Sequence, residues 1–294
     1  MGERPTILDG GNAIAYWDHL FGRHVLTGED EREALEFLKT HNASYLLIDQ
    51  TDIGKYSAYS SIGSDADYNK ISFIGTFWLR EEQTQEKRNE TIYFYTGSAV
   101  LDEDFVWQNQ FFPGRDNAGN HYTGIGAFLL PLQEVKIKLG NETISKIVPG
   151  QPEAIIVFQG KQARVPLRYV YLNGLHDFGS GLPGCLYIMQ KVEANRINNI
   201  GSALYISERG MKALWVRLYL LNEGENFELV HAEPDPYINS IKKQGINIAD
   251  IVYYAGTRGP IKIWKINYPA DIKTNPAYLE TEWPSEDIFL AKNL

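Results

Sequence analysis

The stretch YLLIDQTDIGKYSAYSSIG, residues 45–63, joins a compact apolar run to a polar segment with helical character. The run from Tyr45 to Ile48 is too short for a helix and predicts a strand that is buried on both faces. Thr51 and Asp52 are good N-cap residues, so a helical turn is expected to begin there and to continue toward Ser60. The block therefore predicts a strand followed closely by a helix.

The spacing of Asp52 and Lys55 places the two side chains on one face of this helix, just past the carboxyl end of the strand. Ligands of α/β units usually bind at that end. In a simpler interpretation, Asp52 only caps the helix and Lys55 pairs with it, which is worth about 0.2–0.5 kcal/mol on an exposed surface. Spacing by itself favours the simpler interpretation, because such pairs are common on helices.

The same block resembles the D-x-x-K motif in the C-terminal globular domain of the archaeal oligosaccharyltransferase catalytic subunits, the AglB family. Other stretches resemble that family in the expected order, over residues 1–80 and 200–268. They are residues 2–5 (GERP), 9–11 (DGG), 27–38 (TGEDEREALEFL), 214–219 (LWVRLY), 227–230 (FELV) and 261–266 (IKIWKI).

In this family the motif follows a strand, opens a kinked helix and helps form the pocket that reads the Ser or Thr of an Asn-x-Ser/Thr acceptor. The resemblance implies that Asp52 and Lys55 shape this pocket and bind the acceptor peptide. Tyr59 lies four residues after the motif lysine, where the family pattern carries Ile or Met packed against the acceptor's Thr methyl group. The resemblance therefore places Tyr59 on the pocket wall, with a bulkier ring and an added hydroxyl.

A second family motif, W-W-D-Y-G, has no counterpart in this sequence. Tyr16-Trp17-Asp18-His19 imitates its first three residues, but it follows the DGG segment, whereas the family motif precedes that segment. We interpret Trp17 as a packing aromatic, since an aromatic residue in such a pattern more often packs than binds substrate.

The resemblance implies that the chain is the soluble, acceptor-recognising domain of a membrane glycosyltransferase, located on the extracytoplasmic face of the cell membrane. The family's membrane helices precede this segment, so the chain is expected to be an excised domain that has no catalytic residue or metal ligand and is inactive by itself. The Mn²⁺ or Mg²⁺ site belongs to the membrane part. The implied partners are an acceptor polypeptide carrying Asn-x-Ser/Thr and the chain's own transmembrane domain with its lipid-linked oligosaccharide.

The composition is that of a folded soluble protein. Among 294 residues, 44% are hydrophobic and 22% are charged. A net charge of −9 and the absence of a Lys- and Arg-rich run argue against a nucleic-acid partner. The single cysteine, Cys185, excludes an intrachain disulfide. No apolar run approaches the ~18–20 residues that span a bilayer, so the chain as given is expected to be soluble.

The order of the patterns predicts an α+β fold: a mainly helical core with short strands and an inserted antiparallel β unit. Apolar alternation and turn residues assign the β unit to residues 128–175. The core is then expected to comprise 1–127 and 176–268, and 269–294 to form a C-terminal tail. Within the core, the patterns predict helices near 186–194 and 210–221 and a strand pair at 227–231 and 261–266.

Four other patterns have weaker implications. Gly179–Gly184 fits G-x-G-x-x-G, but Pro183 interrupts it, and a glycine-rich turn is the favoured interpretation. His19 and His24 are five residues apart, which does not place them on one helix face for a metal. The pair His176 and Cys185 leaves a Cys/His nucleophile open without local support. Sequons at Asn42, Asn89 and Asn141 permit a location outside the cell.

Two functions of other classes compete with the glycosyltransferase domain. A free-standing extracellular carbohydrate-binding or adhesion module is supported by the 13% aromatic content, since aromatic rings stack on sugar faces. Aromatic residues at this density can equally form the core. A nucleotide-dependent oxidoreductase depends on the 179–184 pattern alone and ranks last.

Overall fold

The computed structural model describes residues 6–8, 14–65, 67–115, 122–139, 142–193 and 196–284, without the side chains of 136–139 and 142–145. The GERP and DGG segments and the sequon asparagine Asn141 lie outside the described residues. Within the described part, no helix combines the length and the apolar character needed to cross a membrane.

The helices of the described chain are mostly short, and two of them continue directly into a π-helical turn. In chain order they are α1 (Ala15–Leu20) with the π turn Phe21–Leu26, α2 (Glu31–Thr40), α3 (Thr51–Ile62), α4 (Glu208–Lys212), α5 (Leu214–Val216) with the π turn Arg217–Leu221, and α6 (Pro236–Lys242). Short 3-10 turns lie at Glu81–Gln83 and Pro276–Leu279.

The strands outnumber the helices in the part of the chain that the structure describes. They are β1 (Tyr45–Ile48), β2 (Ile74–Leu79), β3 (Gln85–Lys87), β4 (Glu90–Val100), β5 (Phe105–Trp107), β6 (Gln110–Phe112), β7 (Gly124–Leu139), β8 (Glu142–Pro149), β9 (Glu153–Phe158), β10 (Lys161–Tyr171), β11 (Leu175–Asp177), β12 (Leu182–Ile188), β13 (Gln190–Glu193), β14 (Arg196–Asn198), β15 (Ala203–Ser207), β16 (Phe227–Glu233), β17 (Val252–Tyr253), β18 (Thr257–Arg258) and β19 (Ile261–Ile266).

The chain divides into two compact units. An α/β unit comprises Met1–Ser72, Arg209–Ser240 and Gly259–Leu294, and a barrel unit comprises Phe73–Glu208 and Ile241–Arg258. Barrel strands occur on both sides of the predicted boundaries at residues 128 and 175.

The barrel unit is built around a closed sheet of seven strands in the order β4-β2-β15-β12-β10-β9-β7, with β7 returning to β4. The β10–β12 pairing is parallel and the other barrel pairings are antiparallel. Alternate side chains from these strands fill a common core. Its fully buried members include Phe77, Tyr95, Phe128, Ile156, Val165, Leu186 and Tyr205.

The predicted fold class was wrong, because the protein is mostly β, with 40% strand against 24% helix and a closed seven-strand barrel in place of a mainly helical core. Of the segment 186–194, predicted helical, the described residues 186–193 form the end of β12 and β13. Its apolar run is buried almost throughout, and a short continuous apolar run fits a buried strand as well as a helix. Closure depends on pairings between distant segments, such as Phe77 with Ala203, that leave no local pattern.

The α/β unit contains a three-stranded antiparallel sheet in the order β1-β19-β16. This confirms the predicted strand at 45–48 and the predicted pairing of the strands near 227 and 261. The prediction that the strand at 45–48 is buried on both faces was wrong, because Leu46 and Ile48 are buried while Tyr45 and Leu47 are exposed. The predicted helical character of 210–221 is also confirmed by α4, α5 and the second π turn. Trp264 on β19 and the helical residues Phe37, Leu38 and Trp215 are among the buried side chains of this unit.

Helix α2, which precedes β1, begins at Glu31 because Asp30 caps it. The Asp30 carboxylate accepts a hydrogen bond from the Arg32 amide at 2.8 Å. Thr27 precedes the helix, donates its hydroxyl to the Gly22 carbonyl at 2.8 Å and completes the first π turn. The helix ends at Thr40, and Asn42 just beyond it lies in the left-handed region at φ +57°.

Candidate functional site

The residues of the predicted peptide site lie on α3, which starts three residues after β1 ends. Asp49 begins this helix: its Oδ1 accepts hydrogen bonds from the Thr51 amide at 2.7 Å and the Thr51 hydroxyl at 2.6 Å. Asp52 reciprocates, since its Oδ2 accepts from the Asp49 amide at 3.2 Å. This reciprocal arrangement is a capping box. The cap is thus Asp49, and not Thr51 or Asp52 as predicted.

Asp52 and Tyr59 are brought together by the helix. They are seven residues apart, two turns along one face, and the Tyr59 hydroxyl donates to Asp52 Oδ1 at 2.9 Å. Burial, followed by the negative charge of Asp52, raises the pKa of Tyr59 well above its ordinary value. The phenol therefore remains a protonated donor at physiological pH, and its ring is held beside the carboxylate.

Lys55 is exposed and is not paired with Asp52. Its Nζ donates to the Thr51 hydroxyl at 3.4 Å, and within the described chain no ion pair joins it to a carboxylate. The simpler interpretation of the D-x-x-K spacing required an Asp52–Lys55 pair, which the structure does not contain. The Lys55 ammonium group therefore lies on the exposed side of the helix near Thr51, with further donor capacity available to a ligand.

The buried face of α3 adjoins the motif residues and fixes the orientation of the helix. Ile53, Tyr56 and Ser60 are buried, and the Tyr56 hydroxyl hydrogen-bonds the Ser72 hydroxyl at 3.0 Å. The Tyr56 ring also contacts Trp215, with 5.7 Å between ring centroids. Asp52 and Tyr59 lie at the border of this face and are half-buried, whereas Lys55 is exposed.

The C-terminal end of α3 is held by the first π turn. Gly22 and Gly63 meet closely there, and a Cβ on Gly63 would lie 2.6 Å from the Arg23 amide nitrogen. The Arg23 guanidinium donates to the Gly63 carbonyl at 3.1 Å, and His19 Nδ1 donates to the Ile62 carbonyl at 2.7 Å. These contacts, which the sequence patterns did not indicate, position the helix that carries the site.

The remaining sequence candidates have structural roles. Trp17 donates its indole N–H to the Glu280 carbonyl at 2.8 Å and packs edge-on against His41, as a packing aromatic would. Residues 179–181 form the connection between β11 and β12, where Gly179 and Gly181 have φ of +77° and +116°, and residues 182–184 already belong to β12. The glycine-rich turn is thus confirmed, and no helix opens on it.

Within the part of the chain that the structure describes, neither Cys185 nor His176 is placed for nucleophilic chemistry, and no metal site is formed. Cys185 is fully buried in β12, and burial raises the pKa of its thiol to about 12. His176 directs Nε2 to the Leu172 carbonyl at 3.2 Å. Across the described residues, no group of three or more His, Cys, Asp or Glu side chains is placed to hold a metal ion.

Part of the aromatic content lies in the cores of the two units. Eight of the twelve largest fully buried side chains are aromatic: Trp215, Tyr56, Tyr95, Tyr205, Tyr219, Phe37, Phe77 and Phe128. Other aromatic side chains are exposed, among them Tyr45, Tyr68, Trp78, Phe111 and Tyr122. The cores therefore explain only part of the aromatic content that suggested a carbohydrate-binding module.

Comparisons with known proteins found no counterpart: no protein-family model, curated protein or solved structure matches this chain. The candidate site is therefore defined by the geometry of α3 and by the residues that resemble the D-x-x-K motif.

Proposed function

We propose that this chain is the acceptor-recognising domain of a membrane oligosaccharyltransferase, which transfers a lipid-linked oligosaccharide to the Asn of Asn-x-Ser/Thr on the extracytoplasmic face of the cell membrane. The observation that carries the proposal is the motif face of α3. There the Tyr59 phenol is hydrogen-bonded to the Asp52 carboxylate, and the same helix carries the exposed Lys55 ammonium group, which is bonded to the Thr51 hydroxyl and forms no ion pair in the described chain.

This arrangement suits recognition of a small hydroxyl beside a peptide backbone. Lys55 supplies donors to the acceptor hydroxyl or to a carbonyl, and Asp52 retains acceptor lone pairs beyond those used by Tyr59 and Asp49. The Tyr59 ring supplies an apolar wall. A methyl group is worth about 0.8 kcal/mol when buried, so we expect such a pocket to favour Thr over Ser only several-fold.

The metal of the proposed enzyme, Mn²⁺ or Mg²⁺, is assigned to the membrane part. The described residues do not fit a metal site, since no suitable cluster of ligands occurs among them. Transfer itself is likewise assigned to the membrane part, and this chain contributes acceptor binding. Its partners are then the acceptor polypeptide and its own transmembrane domain, with no nucleic acid involved.

The test is transfer to an Asn-x-Thr peptide by the full-length enzyme carrying Asp52→Ala or Lys55→Ala. Each variant should reduce the rate about ten-fold or more, the equivalent of one charge-assisted hydrogen bond. Lys273→Ala removes another exposed lysine of the α/β unit and serves as the charge-matched control. Near-normal transfer by both motif variants would contradict the assignment of Asp52 and Lys55.

A further inference from the structure

The sheet of the α/β unit has two edge strands, β1 and β16, and only β16 carries the features that discourage pairing with another chain. β16 has a bulge at Val230 and charged side chains at Glu228 and Glu233. β1 reads Tyr-Leu-Leu-Ile, with no charge, proline or bulge. Proteins normally protect exposed edges, so an unprotected apolar edge indicates a strand with a partner.

The backbone hydrogen-bonding groups of two residues on β1 point away from the sheet. The Ile266 amide donates to the Ser44 carbonyl at 3.0 Å, which fixes the alternation of the antiparallel ladder. Leu46 and Ile48 therefore bond to β19, while the N–H and C=O groups of Tyr45 and Leu47 point outward. Among the described residues these outward groups have no hydrogen-bond partner.

The outward-pointing backbone groups of β1 lie close to the motif in the chain. The backbone groups of Asp49 are expected to point outward like those of Tyr45 and Leu47, two and four residues earlier. The Asp49 N–H donates to Asp52 Oδ2. At about 3.3 Å per residue, a strand laid along Leu47 would reach the Asp52 carboxylate within about two residues. The open edge and the proposed hydroxyl pocket are thus consecutive parts of one surface.

The side chains of the same two residues are exposed and apolar. Tyr45 is 47% exposed and Leu47 is 59% exposed, and both lie on the outer face of the sheet, where Lys265 and Ile263 of β19 are directly opposite them. An added strand would place alternate side chains against this face. Unpaired backbone groups together with flanking apolar side chains suit an extended polypeptide, since strand addition uses main-chain hydrogen bonds for affinity.

We propose that the open edge of β1 binds the acceptor polypeptide as an added β-strand, with the residues that flank the sequon paired to Tyr45 and Leu47. This inference rests on the proposed function, and it specifies how that function recognises its substrate. Main-chain pairing is independent of side-chain identity, so one edge can hold many acceptor sequences while the Asp52–Lys55 pocket reads the hydroxyl residue.

The test is amide hydrogen exchange of the ¹⁵N-labelled chain, with and without a millimolar Asn-x-Thr peptide with extended flanks. The amides of Tyr45 and Leu47 should exchange rapidly in the free chain. They should slow about ten-fold when the peptide concentration is roughly nine times its Kd. The amides of Leu46 and Ile48, which donate to β19, provide the internal reference because they are protected in both samples.

Three outcomes would overturn the inference. Spectral changes at α3 with unchanged exchange at Tyr45 and Leu47 would overturn strand addition and leave the proposed function standing. The absence of any change at α3 and β1 would overturn both proposals. Protection of Tyr45 and Leu47 that needs no peptide and rises with protein concentration would show that a second copy of this chain occupies the edge.

A variant pair tests the same point independently. Leu47→Pro removes the outward donor without removing a bond to β19, because the lost N–H points away from the sheet. It should weaken peptide binding about five-fold or more, the equivalent of one hydrogen bond. Leu47→Thr alters the side chain and keeps the donor, so it should retain most of the affinity. Equal affinities for the folded variants would overturn the inference.

Discussion

At the scale of single residues, the start of α3 depends on Asp49 and not on the motif aspartate. Asp49 caps the helix through Thr51, and Asp52 accepts from Tyr59 and from the Asp49 amide. Asp52 therefore bonds both to the residue that caps the helix and to Tyr59, two turns further along. A change at Asp49 should alter stability at the base of the site without removing any of its proposed binding groups.

Replacing Asp49 with Ala should lower the free energy of unfolding by about 1 kcal/mol, the typical cost of losing a helix cap. Asp49→Asn keeps a good capping side chain and should cost much less. Urea denaturation followed by circular dichroism measures both variants. Equal stabilities for Ala and Asn would contradict the capping role of Asp49.

At the scale of elements, α3 is held between its cap and the glycine contact with the first π turn. The C-terminal end allows no side chain at Gly63, while the first turn has open space around Gly54. Gly54, inside the helix, has room for a methyl group, whereas Gly63, at the C-cap, has none.

Gly63→Ala should destabilise the protein by about 1–3 kcal/mol, because its Cβ would meet the Arg23 amide nitrogen and the Gly22 carbonyl carbon, both at 2.6 Å. Gly54→Ala lies within the same helix with no atom within 4 Å of the new methyl group. It should stabilise the protein by about 0.5–1 kcal/mol, through the greater helix propensity of Ala. Thermal unfolding of the pair checks the prediction, and a stabilising Gly63→Ala would refute the close contact.

At the scale of the whole molecule, the apolar core of the barrel contains a buried polar group that is costly to remove from water. The Tyr95 hydroxyl is fully buried, and among the described residues it has no hydrogen-bond partner. Desolvation raises the pKa of Tyr95 far above its ordinary value. A buried hydroxyl without a partner costs stability, so its removal should be favourable.

Tyr95→Phe should accordingly raise the free energy of unfolding by about 1 kcal/mol. Tyr56→Phe is the matched comparison, because the Tyr56 hydroxyl bonds Ser72 and its loss should lower stability by a similar amount. Chemical denaturation of both variants measures the contrast. A destabilising Tyr95→Phe would show that the hydroxyl is satisfied, for example by a buried water.

Local sequence determined the elements that surround the candidate site. The apolar run 45–48 forms β1, α3 follows it, and the 27–38 segment yields α2 with a shifted start. These elements were predictable because their periodicity and capping residues are close together in the chain. For the same reason, Asp52 and Lys55 could be placed on one helix face from spacing alone, whereas Tyr59 was indicated only by the family resemblance.

Tertiary structure decided the closure of the barrel, the absence of an Asp52–Lys55 ion pair and the position of β1 at the edge of its sheet. Closure of the barrel needs pairings such as Phe77 with Ala203, and β1 is an edge because β19, more than 200 residues later, takes its other side. Short apolar runs fit strands and buried helices equally well, so local patterns could not separate them. Which strands become neighbours is fixed by the burial of distant segments against one another, which a local pattern does not contain.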